Sequence, residues 1–186
     1  MSGKKPLATE SPDDSSPVIE TDRLRLRMFT SDDLDSFAAM LADPDVMRYV
    51  EDGQPKDRSV AEKALNSMIA HWQRHRFGRW AVEEKTSGTL IGFGGLRSLS
   101  GIPEVVYHFA KAHWGKGYAT ELARASLSFG FDKHRFGRIV AIAKPDNAAS
   151  IHVMEKLGMH FEMRTSYYGI EVVQYAIGPA EFDAHR

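Results

Sequence analysis

The chain has 186 residues and a mass of 20.8 kDa, room for one ordinary domain with a core, or one domain and a short tail, but not for a multidomain machine. Lys and Arg number 24 against 25 Asp and Glu, so the net charge of -1 lacks the positive excess of a dedicated nucleic-acid binder. The absence of Cys excludes disulfides, thiolate zinc sites and a cysteinyl intermediate, and no apolar run approaches a membrane span or a signal peptide, so a cytoplasmic protein without membrane or nucleic-acid partners is expected.

Residues 1–17 are polar, rich in Ser and Pro, and read as a disordered tail; residues 18–186 then form a single domain. From Ile19 onward, Leu24, Leu26 and Met28 alternate with Arg23, Arg25 and Arg27, the period of a half-buried strand whose arginines form a solvated face. Thr30-Ser31-Asp32-Asp33 supplies capping oxygens to a helix carrying Leu34, Phe37, Ala38 and Leu41, which Pro44 stops. Ala61, Ala64, Leu65, Met68 and Trp72 mark a second helix between Pro55 and Gly78. Strands follow over 79–84 and 89–99, joined by Lys85-Thr86-Ser87-Gly88, and Ser100-Gly101 turns the chain into a third over 104–110. The remainder reads as helix 117–134, strand 138–144, helix 147–157 and strands 161–167 and 171–177, a mixed α/β order that fits neither a doubly wound parallel sheet nor a bundle.

The most informative stretch is His113-Trp114-Gly115-Lys116-Gly117-Tyr118-Ala119-Thr120, where a strand passes through a glycine turn into a helix. Such a turn aims unpaired N–H groups and a helix dipole at one spot, where a phosphate can sit, and Lys111 and Lys116 could add charge from the rim. The P-loop pattern fails, because no glycine stands five positions before Gly115 and glycine follows Lys116. The dinucleotide fingerprint fails as well, because Gly115 and Gly117 are followed by Thr120, and Gly92-Phe93-Gly94-Gly95 lies inside a strand. A tight turn that binds nothing remains the plain alternative.

Trp114-Gly115-Lys116-Gly117-Tyr118-Ala119 resembles the acetyl-CoA loop Gln/Arg-x-x-Gly-x-Gly/Ala of the GCN5-related N-acetyltransferase (GNAT) superfamily, with Trp114 departing from Gln/Arg. Glu104-Val105-Val106-Tyr107-His108-Phe109 resembles the Glu-Ile-Gly-Tyr-Trp-Leu strand of its ribosomal-protein N-terminal acetyltransferase branch (RimJ/RimL-like), with Val106 for Gly and His108 for Trp. Asn147 through Ser150 to Lys156-Leu157-Gly158-Met159 resembles the family's Asn-x-x-Ser, apolar run, Lys-Leu-Gly-Phe. The resemblance implies a mixed α+β fold with a mostly antiparallel central sheet, flanked by helices, whose parallel fourth and fifth strands splay apart. It also implies acetyl-CoA as co-substrate and a homodimer as family habit, with no metal.

In that family the cofactor's amide-bearing arm pairs with the exposed strand, here 105–110, so Phe109, Ala110 and Lys111 are expected beside it. Trp114, Gly115, Lys116, Gly117, Tyr118, Ala119 and Thr120 are expected to hold the diphosphate. Asn147 would meet the pantetheine arm, although capping alone would explain it, and Ser150 would face the sulfur. Direct attack by a primary amine, on a peptide N-terminus or a small molecule, needs a base and a donor to the leaving thiolate. Glu104 is the candidate base, an ordinary solvated carboxylate being the alternative, and His108, on the same strand face, is the second choice. Ser150 is the candidate donor, which Tyr107 or Tyr118 could replace.

His71 and His75 have a chelating spacing but no third ligand nearby, and Trp72, Phe77 and Trp80 read as core. The acids from Asp32 to Asp57 suggest a negatively charged mouth that would steer a cationic amine. A non-catalytic acyl-CoA-binding module on the same scaffold, and an interaction domain that binds no cofactor, are the competing readings.

Overall fold

Alternation of apolar and polar residues, punctuated by short turns, builds one eight-stranded sheet in the computed structural model, which describes residues 17–185. The tail reading falls outside the described residues except at Pro17. Strands β1 (Ile19–Glu20), β2 (Leu24–Arg27), β3 (Arg79–Glu84), β4 (Thr89–Leu99), β5 (Ile102–Phe109), β6 (Ile139–Ala143), β7 (His160–Tyr167) and β8 (Ile170–Ile177) lie in the order β1-β2-β3-β4-β5-β6-β8-β7. Every neighbouring pair is antiparallel except β5 and β6. Counted without the two-residue β1, these are the fourth and fifth strands, the pair expected to be parallel and to splay apart.

β5 and β6 share one register pair, Glu104↔Val140, whereas β6 pairs with β8 along its whole length. The parallel pair is therefore splayed beyond its first contact, and a gap opens toward the carboxyl ends of both strands. β5 starts two residues before its expected position because the Ser100-Gly101 turn is tight enough for Leu99 to pair with Ile102 at once.

Helices α1 (Leu34–Ala42), α2 (Pro44–Met47) and α3 (Arg58–His75) cover one face, where Phe29, Phe37, Met68, Ala81 and Phe93 pack together. Pro44 ends α1 as expected, but also opens α2 as its first residue, a position where a missing N–H costs nothing. Helix α4 (Tyr118–Asp132) covers the other face over Trp80, Val82, Val105 and Phe109, and α5 (Ala148–Lys156) follows β6; a last helix, α6 (Pro179–Asp183), sets Phe182 into the core. Trp72 and Trp80 are buried as expected, and the Trp72 indole donates to the Arg79 carbonyl over 2.8 Å.

The glycines of β4 serve packing. A Cβ at Gly94 would stand 2.3 Å from the Val106 carbonyl oxygen and 2.7 Å from a Leu122 methyl, so α4 can lie on the sheet only if this position is bare. Gly94→Ala is expected to destabilise the fold by about 2–3 kcal/mol through overpacking, seen as a lower denaturant midpoint at unchanged slope.

Arg23 and Arg25 are exposed, as a solvated face implies, whereas Arg27 is half-buried. Arg27 forms paired hydrogen bonds to Asp33, 2.8 Å each, and a third to Glu83 at 2.7 Å, which anchors the start of α1 to the sheet. Burial opposes the charge on Asp33, but its bonds to Arg27 and Thr30 outweigh this and hold its pKa below the usual carboxylate value.

Candidate active site

β5 ends at Phe109, a 3₁₀ turn spans Lys111–His113, and the chain then passes Gly115 (φ 73°) and Gly117 (φ 82°) into α4. Both glycines adopt left-handed backbone that side chains resist. Space is not the constraint: a Cβ at Gly115 meets nothing within 4 Å, and one at Gly117 meets only the Arg23 guanidinium at 3.5 Å. Gly117 is the N-cap and no side chain caps it, so helix geometry leaves the first-turn N–H groups of Tyr118, Ala119 and Thr120 pointing into open space. An anion fits there, favoured by the helix dipole.

Two residues brace this turn from outside the motif. The Trp114 indole N–H donates to the Phe109 carbonyl over 2.7 Å, which accounts for tryptophan where the family usually has Gln or Arg. Arg23 donates to the Lys116 carbonyl (2.8 Å) and to Glu121 (2.7 Å), and lies 4.6 Å over the Tyr118 ring. Thr21 also donates to Glu121, at 2.6 Å, so the one acid in the first turn of α4 is held and neutralised by these partners. Lys111 is exposed and pairs with Asp45 of α2, and the Lys116 carbonyl accepts from Arg23.

The gap between β5 and α5 carries the second group. Asn147 caps α5 by accepting from the Ser150 N–H (3.1 Å) through its side-chain oxygen, and its amide NH2 has no partner among the described residues. The capping and cofactor readings are therefore compatible, one at each end of the side chain. The Tyr107 hydroxyl donates to the Ser150 carbonyl (3.0 Å) and lies 3.0 Å from Ser150 Oγ. Burial pushes the Tyr107 pKa up, so the phenol stays protonated. Tyr118 cannot replace Ser150 as donor, because its hydroxyl donates to Glu84 over 2.6 Å.

The opposite face of β5 holds Glu104 and His108. Glu104 is 1% exposed, so the solvated-carboxylate alternative is overturned. Arg97, directly across the hairpin, donates to both its oxygens at 2.5 and 3.2 Å. Burial raises the Glu104 pKa above the usual carboxylate value, against the pull of Arg97 and Arg79. His108 stacks on Phe93 with ring centroids 4.5 Å apart, and its buried Nδ1 has no partner among the described residues. Burial first, and then Arg79 and Arg97, push its pKa down to about 3. His108 is thus a neutral imidazole and too weak a proton acceptor for the base role the sequence had left open to it.

The acidic mouth is mostly consumed by local structure. Asp33 and Asp35 pair with Arg27 and Arg58, Asp45 with Lys111, and Glu51 and Asp52 with Lys56, while Asp43 and Asp57 cap α2 and α3. Arg23, Arg79 and Arg97 are the site residues that sequence reasoning missed. Only Arg97 had a signal: 97 and 104 are equidistant from the Ser100-Gly101 turn, which makes them cross-strand partners.

Comparison with known proteins bears on this geometry. Residues 23–160 match the acetyltransferase (GNAT) domain family. The chain is 38% identical over 146 residues to the uncharacterized protein YkkB of Bacillus subtilis (strain 168), covering 76% of this chain and 84% of that one. It is 31% identical over 149 residues to the uncharacterized N-acetyltransferase YoaA of the same organism, with 78% and 84% covered. Among solved structures, a GNAT-family acetyltransferase from Bacillus anthracis superposes with a TM-score of 0.76 at 26% identity, covering 87% of this chain and 98% of that one.

Proposed function

We propose, from the premise that the chain belongs to the acetyltransferase (GNAT) domain family, that it moves the acetyl group of acetyl-CoA to a primary amine by direct attack in a ternary complex. The family uses acetyl-CoA in general; the acceptor and the residue roles are our reading. The observation that carries it is the uncapped, left-handed glycine turn before α4, standing beside a gap where β5 and β6 share a single register pair. A diphosphate held by the N–H groups of 115–120 would direct the thioester arm into that gap, past Phe109, Ala110 and the free amide of Asn147.

The amine nitrogen then attacks the thioester carbonyl carbon, and its surplus proton passes, directly or through one water, to the Glu104 carboxylate. A main-chain N–H of the 105–110 stretch donates to the oxygen that becomes negative. As the C–S bond breaks, the sulfur takes a proton from the Ser150 hydroxyl, which Tyr107 holds in place and which regains a proton from solvent. The Glu104-to-Phe109 strand supports placing the chain near the N-terminal acetyltransferase branch, and neutral His108 serves as a hydrogen-bonding wall of the acceptor side.

Of Trp114, Val106 and His108, the departures that gave the non-catalytic reading its footing, Trp114 and His108 have local structural reasons, and no observation favours that reading. The test is twofold. CoA at about a hundred times its dissociation constant should stabilise the fold by about 2.7 kcal/mol, read as a higher melting temperature. Acetyl-CoA with a panel of amines should release free thiol, and Ser150→Ala should slow that release about tenfold or more at saturating acceptor. A stabilised fold with no thiol release from any amine would leave only the binding module.

A further inference from the structure

Arg79 stands two strands away from the gap on the same sheet face as Glu104 and His108, in the register Arg79↔Gly95↔Val106. Gly95 lies between, its place bare because a Cβ there would stand 2.4 Å from the Gly78 carbonyl oxygen and 2.6 Å from the Trp80 ring. Neighbouring strands are about 4.7–4.9 Å apart, so β3 and β5 are separated by about 10 Å, and a group held by Arg79 would stand a few bonds from an amine held over β5.

The Arg79 guanidinium has no hydrogen bond or ion pair among the described residues, while part of the residue remains open to solvent. No acid nearby is bonded to it among the described residues. Glu104 already has both oxygens on Arg97, and Glu51, the other acid that Arg79 feels, pairs with Lys56. Burial, with Arg97 adding repulsion, lowers the Arg79 pKa to about 10, so it remains a cation at neutral pH. Two further polar atoms in the field of Arg79, His108 Nδ1 and His71 Nε2, are buried without partners. An unbonded cation on the sheet face of the proposed base, with two unsatisfied ring nitrogens in its field, makes a place that an anion with hydrogen-bonding capacity would suit.

We propose that the acceptor carries a carboxylate a few carbon atoms from its amine, and that Arg79 is the residue that receives this carboxylate. This rests on the acetyltransferase reading of the same gap. A carboxylate matches the fork of a guanidinium and neutralises the excess charge, whereas a polyamine would bring further positive charge to Arg79. Arg79 is a specificity residue that binds the unreacting end of the acceptor, so its loss should be felt mainly in KM.

The test measures thiol release with acceptors in matched pairs: glycine, β-alanine and 4-aminobutyrate, each against its carboxamide, and the amidated dipeptide Asp-Ala against Asn-Ala. The free amino acids and the dipeptides separate a small-molecule source of the carboxylate from a protein N-terminus. In at least one pair the wild type should favour the carboxylate at least tenfold in kcat/KM. Arg79→Gln should bring that ratio close to one, chiefly through KM. Arg79→Lys, which keeps the charge without the fork, should retain a reduced preference, and it serves as the test if the Gln variant loses its CoA-dependent stabilisation. Transfer to both members of every pair at rates within twofold would overturn the inference alone, as would a preference that survives both substitutions. CoA binding without transfer to any amine would overturn the proposed function and the inference with it.

Discussion

Glu104→Gln is expected to lower kcat for acetyl transfer by about 10²- to 10⁴-fold, the range over which a positioned general base contributes. Gln keeps the size of the side chain and can still accept from Arg97, so the variant removes the proton acceptor with little change in shape. The pH profile separates this role from a structural one. Burial raises the Glu104 pKa, so the ionised base is lost as pH falls through a value above the ordinary carboxylate range, and wild-type kcat should decline on that acid limb. The variant should be slow throughout and lack the limb. Unchanged turnover across pH in Glu104→Gln would remove this residue from the chemistry and leave Arg97–Glu104 as an ion pair that only joins β4 to β5.

Gly117→Val is expected to raise the dissociation constant for CoA by about 10²-fold or more, measured by calorimetry. A β-branched residue at φ 82° is strained, and relieving that strain would displace the first-turn N–H groups that follow it. Two lost hydrogen bonds to a charged phosphate, at about 1.5–3 kcal/mol each, account for a loss of that size. The cofactor-free fold should fare better, because the nearest contact for a new Cβ is the Arg23 guanidinium at an ordinary 3.5 Å. A large fall in CoA affinity beside a small fall in melting temperature distinguishes a binding turn from a turn that needs glycine only to fold.

The parts of this site that were legible in the sequence are those fixed by local rules. The strands at 79–84 and 89–99 have their expected bounds, since Lys85-Thr86-Ser87-Gly88 closes the hairpin between them. Asn147 is where a helix cap was expected, and the turn at Gly115 and Gly117 has the backbone its glycines implied. The illegible parts depend on partners far along the chain. Period-two alternation places Arg23 on an outward face, but cannot show that Glu121, 98 positions away, meets it there. A run of acids says nothing of which ones cap α2 and α3 or pair with Lys111. His108 was a candidate base because period-two alternation puts it on the strand face of Glu104; its pKa is set by burial and by two arginines on neighbouring strands, which only the assembled sheet brings to it. Arg79 was passed over for the same reason, as one charged residue at the start of a strand.

The most direct test of the account is a crystal structure of the chain with CoA bound. The diphosphate should accept hydrogen bonds from main-chain N–H groups within 115–120, and the pantetheine arm should run between β5 and β6 toward Ser150, with the Asn147 amide against it. A diphosphate bound elsewhere, or β5 and β6 paired along their length with the arm outside them, would contradict it.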